Sequence, residues 1–361
     1  YTLYQGLVSG VGSRVYQAYT RELETGRLQQ VTTLRESVSP NTVSDIRYTY
    51  DNVGKVTKVS DTAAGGAADH QCFAYDGLQR LTEAWTPGSG NCAAARTKAG
   101  LGGPAPYWQS WTYDALGRRL TQTDHAPGTG ADAETTYQYP SGATRPHTLT
   151  GATRTVGGVG ATVGYGYDVV GNTVTRPGPG GSNQTLTWDP EGHLATTTDA
   201  TGATSYVYDA NGSRLIRRDA GGKTLYLPNN ELRWNSATGT KTCTRFYDFG
   251  GGPIAQRTAA GVTWLAPDYH GTVQIAIDAQ TQSVAQRRET PFGGVRGTPP
   301  GSWPNEKGFV GGTVDPTGLT SSRSCRYSTS VMSASSARAP SKVSTTSPPG
   351  SKRASAPTPR S

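Results

Sequence analysis

One short pattern recurs six times in this chain and limits what the chain can fold into. Two residues, mostly aromatic and separated by one residue, precede an aspartate, and in five copies a glycine follows three residues after that aspartate. Recurrence of a unit of about twenty residues is the mark of a repeat architecture. The copies are YTYDNVGKV (48–56), FAYDGLQRL (73–81), WTYDALGRRL (111–120), YGYDVVGNTV (165–174), LTWDPEGHL (186–194) and YVYDANGSRL (206–215).

Each copy has the pattern of a β-hairpin. Aromatic residues at alternate positions, such as Tyr206 and Tyr208, point to one face of the incoming strand, and Leu215 returns on the outgoing strand. Aspartate favours the first position of a type I turn, where its carboxylate accepts a backbone N–H two residues on, and glycine adopts positive φ without steric cost. The DGLQ segment lacks this glycine, so we predict another loop there. The turn residues are Asp51, Gly54, Asp76, Asp114, Gly117, Asp168, Gly171, Asp189, Gly192, Asp209 and Gly212.

A row of aspartates could instead be a calcium array. Such arrays need several oxygen ligands within about nine residues, whereas this chain offers one aspartate per unit. Turn formation is therefore the favoured interpretation. The sequence has neither a CxxC pair nor a ligand-spaced histidine cluster, so no metal and no cofactor is predicted.

Composition favours an all-β fold. The chain has 47 Gly, 23 Pro, 19 Tyr and 7 Trp against 5 Phe and 1 Met, which suits strands and tight turns. Its net charge is +8, but residues 320–361 hold seven basic residues and no acid, so the remainder is nearly neutral. No specific nucleic-acid partner is predicted. No apolar run approaches the length of a membrane span.

Two cysteines bear on the redox environment. Cys72 and Cys92 flank a hairpin-like segment that could bring them together, while Cys243 and Cys325 stand apart. Two interpretations stay open: a disulfide between Cys72 and Cys92, which would imply an oxidising compartment, and two free thiols.

Asp268 and His270 are the most enzyme-like pair. A carboxylate two residues from an imidazole lies on the same face of a strand, where it could orient a general base. The sequence places no serine or cysteine nucleophile beside them. A buried, hydrogen-bonded corner is therefore the favoured interpretation, and no enzymatic activity is predicted.

The six copies resemble the YD repeats of the Rhs family, which includes shell components of bacterial Tc toxin complexes and a module of animal teneurins. Residues 225–319 are similar to the family's Rhs repeat-associated core segment, with its D-x-H-G-T, P-F-G-x-x-R-G and G-F-x-G landmarks. The landmark residues are Asp268, His270, Gly271, Pro291, Phe292, Gly293, Arg296, Gly297, Gly308 and Phe309.

The resemblance implies a spiral array of hairpins that forms part of a hollow β-shell, with the core segment forming or plugging one end and a variable toxin domain encoded after it. We divide the chain into a leading β-repeat remnant (1–44), the YD-repeat hairpin array (45–220), the core segment (221–319) and a low-complexity basic tail (320–361) that we expect to be disordered. The chain begins at Tyr1 without Met, which fits an internal fragment.

The chain departs from the family pattern after DPTGL. The segment 321–361 lacks the expected R-x-Y-D, G-R-F and final D-P cleavage motifs, which motivates the hypothesis that this ending is read in a shifted frame. Asp315, Pro316 and Gly318 resemble the cleavage motif, but their position assigns them to an earlier landmark. Self-cleavage is therefore not transferred to Asp315.

We expect a non-enzymatic shell scaffold, secreted or in the cell envelope, that encloses or presents a C-terminal toxin or effector in bacterial competition. Its partners would be its own effector domain or missing shell segments. One alternative is a self-cleaving core protease. Another is a cell-surface carbohydrate-binding or adhesion repeat protein, whose exposed groove would carry several of Trp85, Trp108, Trp111, Trp188, Trp234 and Trp264.

Overall fold

Two large antiparallel sheets make up most of the molecule. The computed structural model describes residues 3–6, 14–63, 65–142, 145–250, 252–321 and 327–328. One sheet has twelve strands and the other thirteen, and each strand pairs with its neighbours in sequence order. The all-β prediction is confirmed, and the described ranges contain no α-helix.

The strands follow the chain without a crossover. The first sheet contains β1 (Leu3–Gly6), β2 (Val15–Arg21), β3 (Leu28–Arg35), β4 (Thr42–Tyr50), β5 (Val56–Asp61), β6 (Asp69–Tyr75), β7 (Leu81–Trp85), β8 (Trp108–Tyr113), β9 (Arg119–Asp124), β10 (Ala133–Gln138), β11 (Gly151–Val156) and β12 (Val159–Gly164). The second contains β13 (Gly166–Tyr167), β14 (Thr173–Pro177), β15 (Asn183–Trp188), β16 (Leu194–Asp199), β17 (Gly202–Tyr208), β18 (Arg214–Asp219), β19 (Gly222–Leu227), β20 (Asn230–Asn235), β21 (Lys241–Phe249), β22 (Gly252–Thr258), β23 (Gly261–Pro267), β24 (Val273–Asp278) and β25 (Val284–Gln286).

Short elements complete the fold. The strands are β26 (Arg288–Glu289), β27 (Val295–Arg296), β28 (Thr313–Val314), β29 (Thr320–Ser321) and β30 (Tyr327–Ser328). The single-turn 3₁₀ helices are Lys98–Gly100, Pro179–Gly181 and Phe309–Gly311.

Strand β10 shows how sequence alternation places the core on one side of a sheet. Ala133, Thr135 and Tyr137 are buried, and the residues between them are exposed. Successive side chains of a strand point to opposite faces, so this alternation gives the strand one covered face. Tyr137 packs with Leu149 and Ala152 in one of several small apolar clusters.

The beginning of the first sheet packs against the end of the second. Val15 of β2 lies in one apolar cluster with Trp264 of β23 and Ile277 of β24. Arg35 of β3 donates a hydrogen bond to the backbone carbonyl of Gln282 at 2.7 Å. Hairpins far apart in the chain therefore share one core.

Residues 287–321, here named the strap, cross from one sheet to the other. Phe292 packs edge-to-face on Trp111 of β8, with ring centroids 5.2 Å apart. Leu319, near the other end of the strap, is buried in a cluster with Tyr206 of β17. The strap therefore packs on both sheets through apolar contacts.

Beyond Ser321 the structure describes only β30. The rest of the predicted disordered tail lies outside the described residues. Within the described ranges, no helix combines the length and apolar character needed to cross a membrane.

Candidate functional site: the hairpin turns and the strap anchors

Asp209 illustrates the turn that closes each repeat hairpin. Its backbone N–H donates to the Ser213 carbonyl at 2.9 Å, and the Gly212 N–H donates to the Asp209 carbonyl at 2.9 Å. Its carboxylate accepts the backbone N–H groups of Asn211 at 2.9 Å and Ser213 at 2.8 Å. Gly212 has a φ of 74°, which glycine adopts at little cost. The carboxylate therefore holds the turn closed.

The other repeat aspartates make the same contacts. In four of them, the carboxylate accepts the N–H groups two and four residues on, namely in Asp51, Asp76, Asp114 and Asp168. Asp189 accepts the N–H of His193 at 2.8 Å. The predicted turn glycines all have positive φ: Gly54, Gly117, Gly171, Gly192 and Gly212.

The prediction of another loop at Asp76 is wrong. Gln79 takes the place of glycine with a φ of 64°, and its N–H donates to the Asp76 carbonyl at 2.9 Å. A left-handed glutamine is unfavourable, but Arg80 stabilises the turn. The backbone N–H and guanidinium of Arg80 donate to the Asp76 carboxylate at 2.9 and 2.6 Å and hold the pKa of Asp76 below its usual value.

The tyrosine before each aspartate links neighbouring hairpins, a role that sequence reasoning missed. The Tyr208 hydroxyl donates to the backbone carbonyl of Leu194, in the preceding hairpin, at 2.9 Å. The same bond is made by Tyr50, Tyr75, Tyr113 and Tyr167. Tyr139, which precedes Pro140 and not an aspartate, donates in the same way to the Arg119 carbonyl. Trp188 replaces it with an indole N–H bond of 2.8 Å to the Thr173 carbonyl. The available signal is that the position before aspartate holds Tyr or Trp and never Phe, since Phe has no donor.

Arginines after the turn extend this link along the same rim of the sheet. The Arg80 guanidinium pairs with Asp76, donates to the Asp114 carbonyl at 2.8 Å and lies 4.9 Å from the centre of the Tyr113 ring. Arg118 repeats the arrangement one hairpin later, 5.0 Å from the Tyr139 ring. The turns at Asp76 and Asp114 are therefore each tied to the segment that follows them in the sheet.

The Asp268–His270 pair lies in a further turn of the same kind. The Gly271 N–H donates to the Asp268 carbonyl at 3.0 Å, and the Asp268 carboxylate accepts the N–H groups of His270 and Thr272 at 2.9 Å each. The imidazole lies over Tyr269, with centroids 3.7 Å apart. Burial raises the pKa of Asp268 and lowers that of His270. The contacts match the expected hydrogen-bonded corner, but the corner is not buried as expected, because Asp268 is half-buried and the Tyr269 and His270 residues are exposed. The corner borders a cavity of about 440 Å³ beneath the strap.

The first strap anchor is a buried ion pair. Arg296 donates to the Asp69 carboxylate of β6 at 2.8 and 3.3 Å and to the Ala105 carbonyl at 2.9 Å. Its guanidinium lies 4.6 Å from the centre of the Tyr107 ring, and Arg288 adds a 3.3 Å contact to Asp69. The Arg296 and Asp69 side chains are 1% and 7% exposed. Neither charge can be solvated there without its partner.

The second strap anchor joins Asp315 and Glu306 to β18. Arg214 donates to both carboxylate oxygens of Asp315 at 2.8 and 2.9 Å, and Arg217 donates to Asp315 at 2.9 Å. Arg217 also binds both Glu306 oxygens at 2.8 Å. Burial alone would lower the pKa of Arg217, but its bonds to Glu306 and the nearby carboxylates raise it above the usual value. The Asp315 side chain has no exposed surface.

Three of the landmark residues are glycines at positions where close packing leaves no room for a side chain. Gly293 closes the turn that contains Pro291 and Phe292, and a Cβ on Gly293 would lie 2.6 Å from the Phe309 ring. A Cβ on Gly297 would lie 2.9 Å from Ala105. Gly308 likewise leaves no room, because a Cβ at this position would collide with the Val314 side chain. These glycines let the strap lie close to its own turns and to the first sheet.

Cys72 and Cys92 are disulfide-bonded, with Cα atoms 5.6 Å apart. The bond ties the segment between β7 and β8 to β6, and Lys58 donates to the Gly90 carbonyl of that segment at 2.6 Å. Cys243 is an exposed free thiol, and Cys325 lies outside the described residues.

The six tryptophans considered for glycan binding have mainly packing roles. Trp85, Trp111 and Trp264 are buried, and Trp108 stacks on His125 with centroids 3.8 Å apart. Trp234 is 36% exposed. A buried ring offers no face on which a sugar could stack.

Comparison with known proteins identifies the fold. The sequence matches no protein-family model and no curated protein. The TcdB2-TccC3-Cdc42 and TcdB2-TccC3 crystal structures align with TM-scores of 0.56 at 19% and 18% identity, and each alignment covers 88% of this chain and 17% of theirs. The Photorhabdus luminescens Tc holotoxin pore, with a TccC3 mutation, aligns with a TM-score of 0.54 at 19% identity over 87% of this chain and 16% of that one.

The expected fold is therefore confirmed. The chain has an Rhs/YD-like shell fold, with antiparallel sheets similar to those of the Tc toxin chains. It spans about 17% of the length of the Tc chains it matches.

Proposed function

We propose that this chain is a non-enzymatic segment of a toxin shell that encloses or presents a C-terminal effector. The all-β fold shared with Tc toxin chains supports a scaffold role. The contacts of the repeat residues support it too, because the Tyr, Asp and Arg of each hairpin bind the backbone of their own or a neighbouring hairpin. Its partners are further shell segments and the effector, and its place of action is outside the producing cell.

The strap is the observation that carries the proposal. It is fixed to the first sheet by Arg296 with Asp69 and to the second by Asp315 with Arg214 and Arg217. A polypeptide that follows the strap therefore starts from a defined position on the sheets. This is what a scaffold needs in order to hold an effector in one place.

The contacts of Asp315 argue against the self-cleaving alternative. A carboxyl group that acts as a general acid needs a proton, and one that acts as a base needs access to its substrate. Asp315 is fully buried, and Arg214 and Arg217 bind its carboxylate oxygens, so a substrate has no access to this carboxylate. A structural role for Asp315 is therefore proposed.

Protease protection tests the proposal. The chain is produced together with its flanking coding regions, with a protease site inserted in the polypeptide that follows residue 361. Enclosure predicts that this site is cut at least tenfold more slowly in the folded protein than after mild denaturation. Equal cutting rates in both states would contradict enclosure, and the chain would then present the effector without enclosing it. Release of an intact, unattached effector during storage would support self-cleavage.

A further inference from the structure

The first sheet covers one face of the second sheet only in part. Ala255 of β22, Trp264 of β23 and Ile277 of β24 are cross-strand partners, so their side chains share one face. All three are buried in the cluster with Val15 of the first sheet. Tyr247 of β21 is the partner of Ala255 and continues this row, but it is 37% exposed. The cover therefore ends at β21.

The same face stays uncovered from β18 to β21, and we name this part the open face. Its exposed residues are Arg218, Lys223, Leu227, Leu232, Trp234, Lys241, Cys243, Arg245 and Tyr247. The Lys223 ammonium lies 5.6 Å from the centre of the Trp234 ring, as these cross-strand partners on one face should. Clustered exposed apolar side chains are uncommon on monomeric proteins and mark interaction sites.

The charges of the open face are all positive. Its basic residues are Arg218, Lys223, Lys241 and Arg245. The acids of the same strands lie on the strap side of the sheet, namely Asp219, Glu231 and Asp248. There Glu231 pairs with Lys307 of the strap, and Asp248 borders a cavity that Lys307 also lines. Charge complementarity therefore favours an acidic occupant of the open face.

Three other occupants fit the open face poorly. A second copy of this face would set like charges against each other. Residues 322–361 contain seven basic residues and no acid, so they are repelled as well. The first sheet stands about 10 Å above the second where it covers β22 to β24. This step beside the open face would hold a flat lipid surface away from it.

The two sheets run past each other in opposite order. Phe292 of the strap, which follows β25, packs on Trp111 of β8. Tyr269, which precedes β24, packs edge-to-face on Tyr48 of β4, with centroids 5.2 Å apart. Val15 of β2 reaches β22 and β23. A strand placed before β1 in the first sheet would therefore lie over β21 and β20.

We propose that the open face binds a further layer of shell strands, which extends the first sheet beyond β1 and carries acidic and apolar side chains. Strand β1 begins that sheet, and β2 is its one hydrogen-bonded neighbour in the described ranges. The added layer continues the established contact between the sheets and covers Leu232 and Trp234 as Val15 covers Trp264. This inference rests on the proposed shell role and names the face that a further shell segment occupies.

Alkylation of Cys243 by N-ethylmaleimide tests whether the open face is covered. Peptide mass spectrometry follows the reaction in this chain alone and in the protein that carries it with its natural flanking regions. Cys243 is an exposed thiol in this chain. A covering layer is expected to slow its reaction about tenfold or more in the longer protein. Asn211→Cys, at an exposed turn of the same sheet, is the matched control and should react equally fast in both proteins.

Charge reversal tests the complementarity. Lys223→Glu combined with Lys241→Glu places carboxylates on both sides of Trp234, where they repel an acidic layer. In the longer protein, this double variant should return the Cys243 reaction to within about threefold of its rate in the chain alone. Arg47→Glu, at a side chain of β4 that is 62% exposed, is the control and should leave the reaction slow. Circular dichroism checks the fold of each variant.

Several results would overturn the proposal. They are equal Cys243 rates in the two proteins, slow reaction that persists in the double variant, and equal slowing at position 211. Protection of Cys243 in the chain alone by oligothymidylate would also overturn it, because a nucleic acid would then be the partner. The protease site after residue 361 reports enclosure separately. A protected protease site together with a reactive Cys243 would contradict the docking and leave enclosure of the effector intact.

Discussion

Replacement of Asp315 by asparagine is predicted to destabilise the chain far more than the same replacement of Asp209. Both aspartates begin a turn in which the N–H three residues on donates to their carbonyl at 2.9 Å. Their carboxylates differ. That of Asp209 binds two N–H groups of its own turn and is exposed, whereas that of Asp315 is fully buried against Arg214 and Arg217.

The size of the effect follows from burial. Removal of one partner from a buried ion pair costs about 3–5 kcal/mol, because the remaining charge loses its counter-charge and stays poorly hydrated. Asparagine keeps the size of the side chain but removes the carboxylate that pairs with the buried Arg214 and Arg217. Arg217 still pairs with Glu306 and Asp219. At Asp209, asparagine is itself a favoured turn residue, so a surface change of less than about 0.5 kcal/mol is expected.

Denaturation in urea measures both effects. Asp315→Asn should lower the midpoint strongly at an unchanged slope, because the surface exposed on unfolding stays the same. In Asp315→Asn, amide hydrogen exchange should become faster first in the strap and in β18. A loss below about 1 kcal/mol for Asp315→Asn, or equal losses for both variants, would refute the reasoning that the second anchor holds the strap.

Three further predictions follow from single contacts. Tyr208→Phe removes the hydrogen bond to the Leu194 carbonyl and should lower the free energy of unfolding, measured in urea, by about 1 kcal/mol. The dependence of that free energy on urea concentration should stay the same. Cys72→Ser removes the disulfide that closes a loop of 20 residues and should lower the free energy of unfolding by about 3 kcal/mol. Dithiothreitol should lower the stability of the unmodified chain by the same amount and should leave that of the variant unchanged. The Lys98 ammonium and nearby donors lower the pKa of Asp132 from 3.8 to about 2, so its contribution to stability is complete above pH 4 and lost as the pH falls towards 2. Asp132→Asn should remove that part of the acid dependence, measured by thermal melting across this range.

Local features of the fold could be predicted from the sequence because they depend on neighbours. The Asp209 turn needs an aspartate, a glycine and a few backbone groups, all within five residues. The sequence predicts another loop at Asp76, whereas Gln79 adopts the left-handed conformation that glycine takes in the other turns. Turn rules based on residue preference disfavour a left-handed glutamine and therefore miss this turn.

The strap anchors could not be predicted, because their partners are far apart in the chain. Asp69 and Arg296 are separated by 227 residues, and Arg217 and Asp315 by 98. No period relates these positions. Two hints exist in the sequence. Arg296 and Asp315 belong to landmarks of the core segment, and β18 (RLIRRD) carries more charged residues than a strand with one covered face usually does.

An electron cryomicroscopy structure of the protein that carries this chain with its natural flanking regions is the most direct test. The central claim is that the hairpin sheets and the strap form a scaffold that holds the effector. The scaffold account predicts that the polypeptide after the strap contacts the hairpin sheets on the side where Arg296 and Asp315 are anchored. An effector attached to the opposite side, with the strap side open to solvent, would contradict it.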